Sequence, residues 1–157
     1  MCGIVGYVGS QSALDVVMAG LKRLEYRGYD SAGVAVPAGG GVGGAEKGGQ
    51  LAHLGKGLVA PPVATRETRV GHTRGAAHGG APRPQTQPHL DNAGRVAVVH
   101  NGIIENVAEL RAELAERGHE VLSETDTEAG AHLLAEGFSG TCDLADAVHV
   151  ECRSHGR

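Results

Sequence analysis

Apolar positions along this chain alternate between short continuous runs and helical spacing, and the changes of rhythm mark the elements. Ile4 to Val8 is a short apolar run broken by Gly6, which predicts a buried strand. Behind Ser12, with Asp15 three residues on as in a capping box, Leu14, Val17, Met18, Leu21 and Leu24 recur at helical spacing and predict a helix. Ser31 to Val36 predicts a second strand, and residues 37–49 are so rich in glycine that they predict a mobile hairpin tip or loop. Val70-Gly71-His72 reads as a strand end leading into Thr73-Arg74. Three prolines and two glycines make Gly79 to Pro88 a loop. Val96 to His100 is continuous and apolar, the pattern of a strand buried on both faces. Asn106 then opens a helix through Arg117, with Val107, Leu110 and Leu114 on one face and Gly118 as its stop. Thr127 to Glu136 and Leu144 to about Cys152 predict further helices. The result is a mixed α and β chain built of layers.

Composition narrows this picture. With 157 residues the chain supports one domain with a core, and 3 % aromatic content leaves Val, Leu, Ile and Ala to build it. Charges of both signs are scattered and sum to −4, which argues against a nucleic-acid partner. No apolar run reaches membrane-spanning length and no basic region opens the chain, so no membrane partner is expected and a cytoplasmic location is. The three cysteines, Cys2, Cys142 and Cys152, form no CxxC pair, and an odd count fits free thiols. Among nine histidines, His72, His78, His89 and His100 come nearest to a cluster, yet none has HxH or HxxxH spacing. Neither a metal nor another cofactor is expected, and a metal or redox protein ranks last among the readings.

Cys2 changes the picture most. Removal of Met1 would leave a cysteine with both a thiol and a free α-amine; such an amine titrates near ~8, so part of it is unprotonated at neutral pH and can take the thiol proton. Three short motifs follow, each at or just after a predicted strand or helix start: His72-Thr73-Arg74, His100-Asn101-Gly102, and Ser123 to Glu128. Singly, each has an ordinary explanation: a solvated arginine, an Asn-Gly turn, an acidic helix start. In this order behind a penultimate cysteine they form a constellation.

That constellation, with Met1-Cys2-Gly3-Ile4-Val5-Gly6, Leu24 to Gly33 (Leu-Glu-Tyr-Arg-Gly-Tyr-Asp-Ser-Ala-Gly) and Val99 to Asn106, resembles the class II glutamine amidotransferases. The Tyr-Arg-Gly-Tyr-Asp-Ser run resembles the branch that feeds ammonia from glutamine into glucosamine 6-phosphate synthesis. The likeness is close over 2–36 and 66–136, apart from 75–87, and loose over the glycine-rich stretch and from Gly137 onward. The resemblance implies an α+β fold, an N-terminal-nucleophile αββα sandwich of two antiparallel sheets between helices, here C-terminally incomplete. It implies a single truncated amidotransferase domain over 1–157, with the sugar-phosphate isomerase domain, which takes fructose 6-phosphate, either lost or on another chain. It also implies L-glutamine as partner, and a homo-oligomer is compatible with it.

The family's roles carry over residue by residue. Cys2 matches the nucleophile, and the Asn101 side-chain amide and Gly102 N–H match the oxyanion donors. Arg74 matches the grip on the substrate α-carboxylate, Asp126 the counter-charge to its α-ammonium, His78 a position beside the pocket, and Arg27 a residue near the terminal cysteine.

Two local departures stand out. Gly75-Ala76-Ala77-His78 replaces the family's Trp-Ala-Thr-His, which removes an apolar cover over bound glutamine, and Gln85-Thr86-Gln87-Pro88-His89 replaces Asn-Ala-His-Pro-His. Mismatch concentrates in 81–87 and again in the tail Glu151 to Arg157, a pattern that points to local reading-frame slips. The competing expectation is therefore a non-catalytic remnant, or a glutamine-binding module without turnover.

Overall fold

Ser12 sits in an extended conformation, accepts a hydrogen bond from the Asp15 N–H (3.5 Å) and starts helix α1, Ala13–Leu24. The computed structural model describes residues 2–28, 31–38, 41–48, 69–74, 87–141 and 143–155. The stripe read from the sequence is the one α1 buries. Val17 and Leu21 are fully enclosed and pack with Ala32 and Val34, while Val5, Tyr7, Leu14 and Met18 close the cluster. Each large side chain so enclosed contributes about 1.5–3 kcal/mol.

The surface beneath α1 is a four-stranded antiparallel sheet of β1 (Gly3–Tyr7), β2 (Ser31–Ala38), β3 (Gly41–Gly48) and β4 (Arg69–Arg74), in the order β1-β4-β2-β3. Here one expectation fails. Within the glycine-rich stretch, Gly41–Gly48 is a strand and not a loop, pairing with β2 along its length from Ser31↔Gly48 to Ala38↔Gly41, while residues 39, 40 and 49 lie outside the described residues. A ladder needs only backbone N–H and C=O groups, and a strand at the end of a sheet needs little side-chain packing, so glycine content did not preclude pairing.

Register sorts the faces. Val5, Gly71 and Val34 stand side by side toward α1, so Ile4, His72 and Gly33, also side by side, share the opposite face. On that face lies the second sheet, β5 (His89–Leu90) with β6 (Ala97–Val98). The two layers meet at Gly33, where a Cβ would lie 2.0 Å from the Gln87 carbonyl oxygen. The Val96 to His100 run therefore needs correction: only Ala97 and Val98 pair, Val96 alone is buried, and the rest are half-buried. The turn before it is organised by Asp91, whose carboxylate accepts the N–H groups of Ala93 (3.2 Å), Arg95 (2.6 Å) and Val96 (2.8 Å). Burial would raise the Asp91 pKa, but these N–H bonds and the Arg95 guanidinium outweigh it and hold the carboxyl below its ordinary value.

Three helices cover the far side: α2 (Val107–Glu116), α3 (Asp126–Thr141), which packs on β5 and β6, and α4 (Leu144–His155). Leu110 and Leu114 of α2 meet Ala129 and Leu133 of α3 in a second core. Asn106 precedes α2 as expected, although its side chain makes no capping hydrogen bond. Gly118, at φ 87°, ends α2: its N–H reaches the Ala115 carbonyl (3.0 Å) and the His119 N–H reaches Leu114 (2.9 Å), the paired bonds of a Schellman stop. Helix α3 begins one residue earlier and runs further than the sequence pattern indicated. The layers thus run helix, sheet, sheet, helices. Among the described residues no helix is long and apolar enough to cross a membrane.

One interior residue makes folding pH-dependent. His132 of α3 is fully enclosed, and among the described residues neither of its ring nitrogens has a hydrogen-bond partner; His119 lies 5.1 Å away between ring centroids and the nearest Glu128 oxygen is at 3.9 Å. Burial, then the His119 ring, push its pKa down, against the upward pull of Glu128, Asp91 and Glu136. The unfolded chain therefore binds this proton more readily. Stability is full above about pH 6.5 and falls as pH drops from there through the lowered native value. His132→Leu, of similar volume, removes two unsatisfied nitrogens. It should raise stability by about 1 kcal/mol and flatten that acid limb, as read by denaturant melts from pH 7.5 to 5.

Candidate active site

The sheets bring the singled-out residues forward in two groups. Cys2 stands one residue before Gly3, whose register partner is Thr73; the next position along β4 is Arg74, paired with Ser31 of β2. The nucleophile candidate and the arginine candidate therefore occupy one end of one sheet, on neighbouring strands. By alternation Cys2 shares the face of Ile4, His72 and Gly33, turned away from α1 and toward the second layer. It is half-buried and carries a free thiol. The Thr73 hydroxyl donates to the Gly3 carbonyl (3.5 Å), tying the start of β1 to β4.

The second group is the segment after β6. Asn101 and Gly102 are both exposed. Gly102 lies beside the imidazole of His100, and a Cβ there would come within 2.6 Å of Nε2, so any larger residue would require that ring to turn aside. Asp126, at the first position of α3, joins the segment directly: its Oδ2 accepts the Ile104 N–H at 2.8 Å and its Oδ1 accepts the Thr127 hydroxyl at 3.3 Å. Asp126 and Asn101-Gly102 are therefore held by one local structure although 24 positions separate Gly102 from Asp126 in the numbering.

The loop leading into Asp126 is firmly built. Glu128 accepts the N–H groups of Leu122 (2.8 Å) and Ser123 (2.5 Å), and Arg111 of α2 donates to the carbonyls of Ser123 (2.8 Å) and Thr125 (3.0 Å). Burial would raise the Glu128 pKa; the Ser123 side chain, these N–H bonds and the nearby His89 outweigh it and lower it. The acidic run at the start of α3 thus divides its work, with Glu128 fixing the loop and Asp126 facing the 101–104 segment.

Other candidates lie partly or wholly outside the described residues. His78 and the Gly75-Ala76-Ala77 stretch do so entirely, as do Gln85, Thr86 and Cys142. Arg27 closes the short 3-10 turn Glu25–Arg27 after α1, and Arg74 ends β4, but their side chains are not among those described. Sequence reasoning missed Gln87, a buried residue bonded to His100 and Thr127. Its only signal was a polar residue next to a proline in a divergent loop. A mostly apolar hollow of about 400 Å³ lies behind the segment, walled by Val98, Leu110, Leu133 and Val148 and bordered by His100, Ile104 and Thr127; neither Cys2 nor Asp126 lines it.

Comparison with known proteins gives the arrangement its class. Residues 73–148 match the family described as glutamine amidotransferase domain, a match that continues past Gly137 where the likeness in sequence looked loose. Among solved structures, the glutamine phosphoribosylpyrophosphate amidotransferase of B. subtilis superposes with a TM-score of 0.72 at 24% identity, covering 98% of this chain and 33% of that one. The structure described as the allosteric regulatory enzyme of purine biosynthesis gives 0.74 at 26%, with the same coverages. The chain carries a glutamine amidotransferase domain with the N-terminal-nucleophile fold. Within that class it is homologous to the amidotransferase end of glutamine–fructose-6-phosphate aminotransferase: the Streptomyces coelicolor enzyme is 68% identical over 152 residues, 97% of this chain and 25% of that protein. The chain thus spans about a quarter of the length of the curated relatives it matches.

Proposed function

We propose that this domain hydrolyses glutamine to glutamate and ammonia through a thioester on Cys2, as the ammonia-producing half of glucosamine 6-phosphate synthesis, in the cytoplasm. The observation that supports the reading is that Cys2, next to Gly3, and Arg74, next to Thr73 (the register partner of Gly3), fall at one end of one sheet, with Cys2 by alternation on the face that carries the second layer.

The chemistry follows from charge and geometry. With Met1 removed, the α-amine of Cys2 takes the thiol proton and the sulfur attacks the side-chain amide carbon of glutamine. The carbonyl π pair moves onto oxygen, and the Asn101 side-chain amide and the Gly102 N–H receive that oxyanion. Collapse breaks the C–N bond as the α-ammonium returns its proton to the departing nitrogen, releasing ammonia and leaving a γ-glutamyl thioester. Water, deprotonated by the same amine, then frees glutamate and restores the thiol. Arg74 holds the substrate α-carboxylate as a fork, Asp126 receives the α-ammonium, His78 flanks the pocket and Arg27 orients the terminal residue. Asp126 keeps acceptor capacity for this, because its two oxygens carry more lone pairs than its bonds to Ile104 and Thr127 use. A sugar-phosphate isomerase domain that takes fructose 6-phosphate would consume the ammonia.

The test is direct. The purified chain, with Met1 removal verified by mass, should release glutamate from glutamine and be labelled by a thiol-reactive glutamine analogue at Cys2 in peptide mapping. Labelling without turnover would assign a glutamine-binding remnant; neither signal from folded protein would sink the reading.

A further inference from the structure

Strand β6 ends at Val98, yet the next backbone groups are not left to solvent. Gln87, 8% exposed, turns its side-chain amide onto His100 as a strand neighbour would. Its Oε1 accepts the His100 N–H at 2.8 Å and its Nε2 donates to the His100 carbonyl at 2.9 Å. The second Nε2 hydrogen reaches the Thr127 hydroxyl at 3.2 Å, and Thr127, 1% exposed, passes its own hydrogen to Asp126 Oδ1 at 3.3 Å. Asp126 Oδ2 then accepts the Ile104 N–H at 2.8 Å. The result is a closed circuit that grips residues 100–104 at both ends. Asn101 and Gly102 lie between the grips, themselves exposed.

We propose that Gln87 is a positioning residue for glutamine hydrolysis, coupling the segment that carries the oxyanion donors to the carboxylate that receives the substrate ammonium. This role rests on the function proposed above. The bonding pattern of the circuit requires a primary amide. One acceptor and two donors on a planar group match a peptide edge plus one hydroxyl, whereas a carboxylate accepts only and an ammonium donates only. The site is buried, so a missing partner is not replaced by water. The oxyanion contributes to rate only when its donors are already aimed, and a displacement of about 1 Å there costs on the order of 10²-fold. Gln87 touches no reacting atom; it sets where Asn101 and Gly102 stand when Asp126 is engaged.

Gln87→Met keeps the volume and removes all three bonds, while Gln87→Glu keeps only the acceptor for His100. Both should retain cooperative melting. In Gln87→Met, kcat for glutamine hydrolysis should fall about 10- to 100-fold, with KM moving less than about threefold, because substrate contacts survive and donor alignment does not. Amide hydrogen exchange at His100 and Ile104 should accelerate at least about tenfold while β1, β2 and β4 keep their protection. Thr127→Val should add little to Gln87→Met, since both open one circuit. If Gln87→Met does not fold, Gln87→Glu carries the same kinetic and exchange readouts. Unchanged kcat in a folded variant, or equal losses in kcat and 1/KM with a general fall in protection, would overturn the role. A wild-type chain without Cys2-dependent turnover would overturn the functional reading and this role with it; turnover indifferent to Gln87 would overturn this role alone.

Discussion

Cys2→Ala should abolish glutamine hydrolysis, by at least about 10³-fold, while leaving the melting temperature within a few degrees of the wild type. The two halves of that expectation have different sources. Activity falls because a methyl group has no lone pair to attack the amide carbon, and no other described residue carries a thiol on that sheet face: Cys152, the other described cysteine, lies on α4. Stability holds because Cys2 is only half-buried and precedes the paired part of β1, so its sulfur supports neither the ladder nor the core under α1. Glutamate release and a thermal melt on the same preparation measure both. A variant that keeps a tenth of the activity would place the nucleophile elsewhere.

Gly33→Ala should be the most damaging conservative change in the fold, costing about 3 kcal/mol. The added Cβ would lie 2.0 Å from the Gln87 carbonyl oxygen, 3.0 Å from its carbon and 2.8 Å from the Pro88 ring. Two of these obstacles are backbone, so no rotamer change relieves them; the 87–88 segment must move by more than an ångström, or β2 must bend. Neither is free, since β2 is paired on both sides and Gln87 is bonded to His100 and Thr127. The loss should therefore appear twice, in denaturant midpoint and in turnover, because displacing Gln87 also releases residue 100. An unchanged midpoint in Gly33→Ala would show that the two sheets do not meet this closely in solution.

The helices were legible because their signals are local. The α1 stripe, the Ser12 start and the Gly118 stop each depend on residues within a few positions, and each is where the pattern put it. What the sequence hid depends on partners far away. Gly41–Gly48 becomes a strand only because β2 lies beside it, and glycine leaves no periodic trace to read. The Val96 to His100 run looked doubly buried because it is apolar, but hydropathy does not report that only two of its residues find a strand partner. The candidate site residues were visible by resemblance, as a constellation in order. Their mutual support was not: Gln87 lies in the stretch where that resemblance fails, and nothing local marks it as a partner of residue 100 or 127. His132 likewise reads as one more helix residue until burial removes its partners.

The pairing of Gly3 with Thr73 and of Ser31 with Arg74 also bears on how this domain can be re-engineered. Side chains alternate across a strand, so one residue added or deleted within β1 or β4 would send Cys2, or the Arg74 position, to the opposite face of the sheet. Two residues would restore the face and shift the site along the sheet by one repeat. Added length, whether for a tag, a linker or a grafted loop, is therefore an arithmetic of odd and even inside these strands, and the connections between them are the place for it.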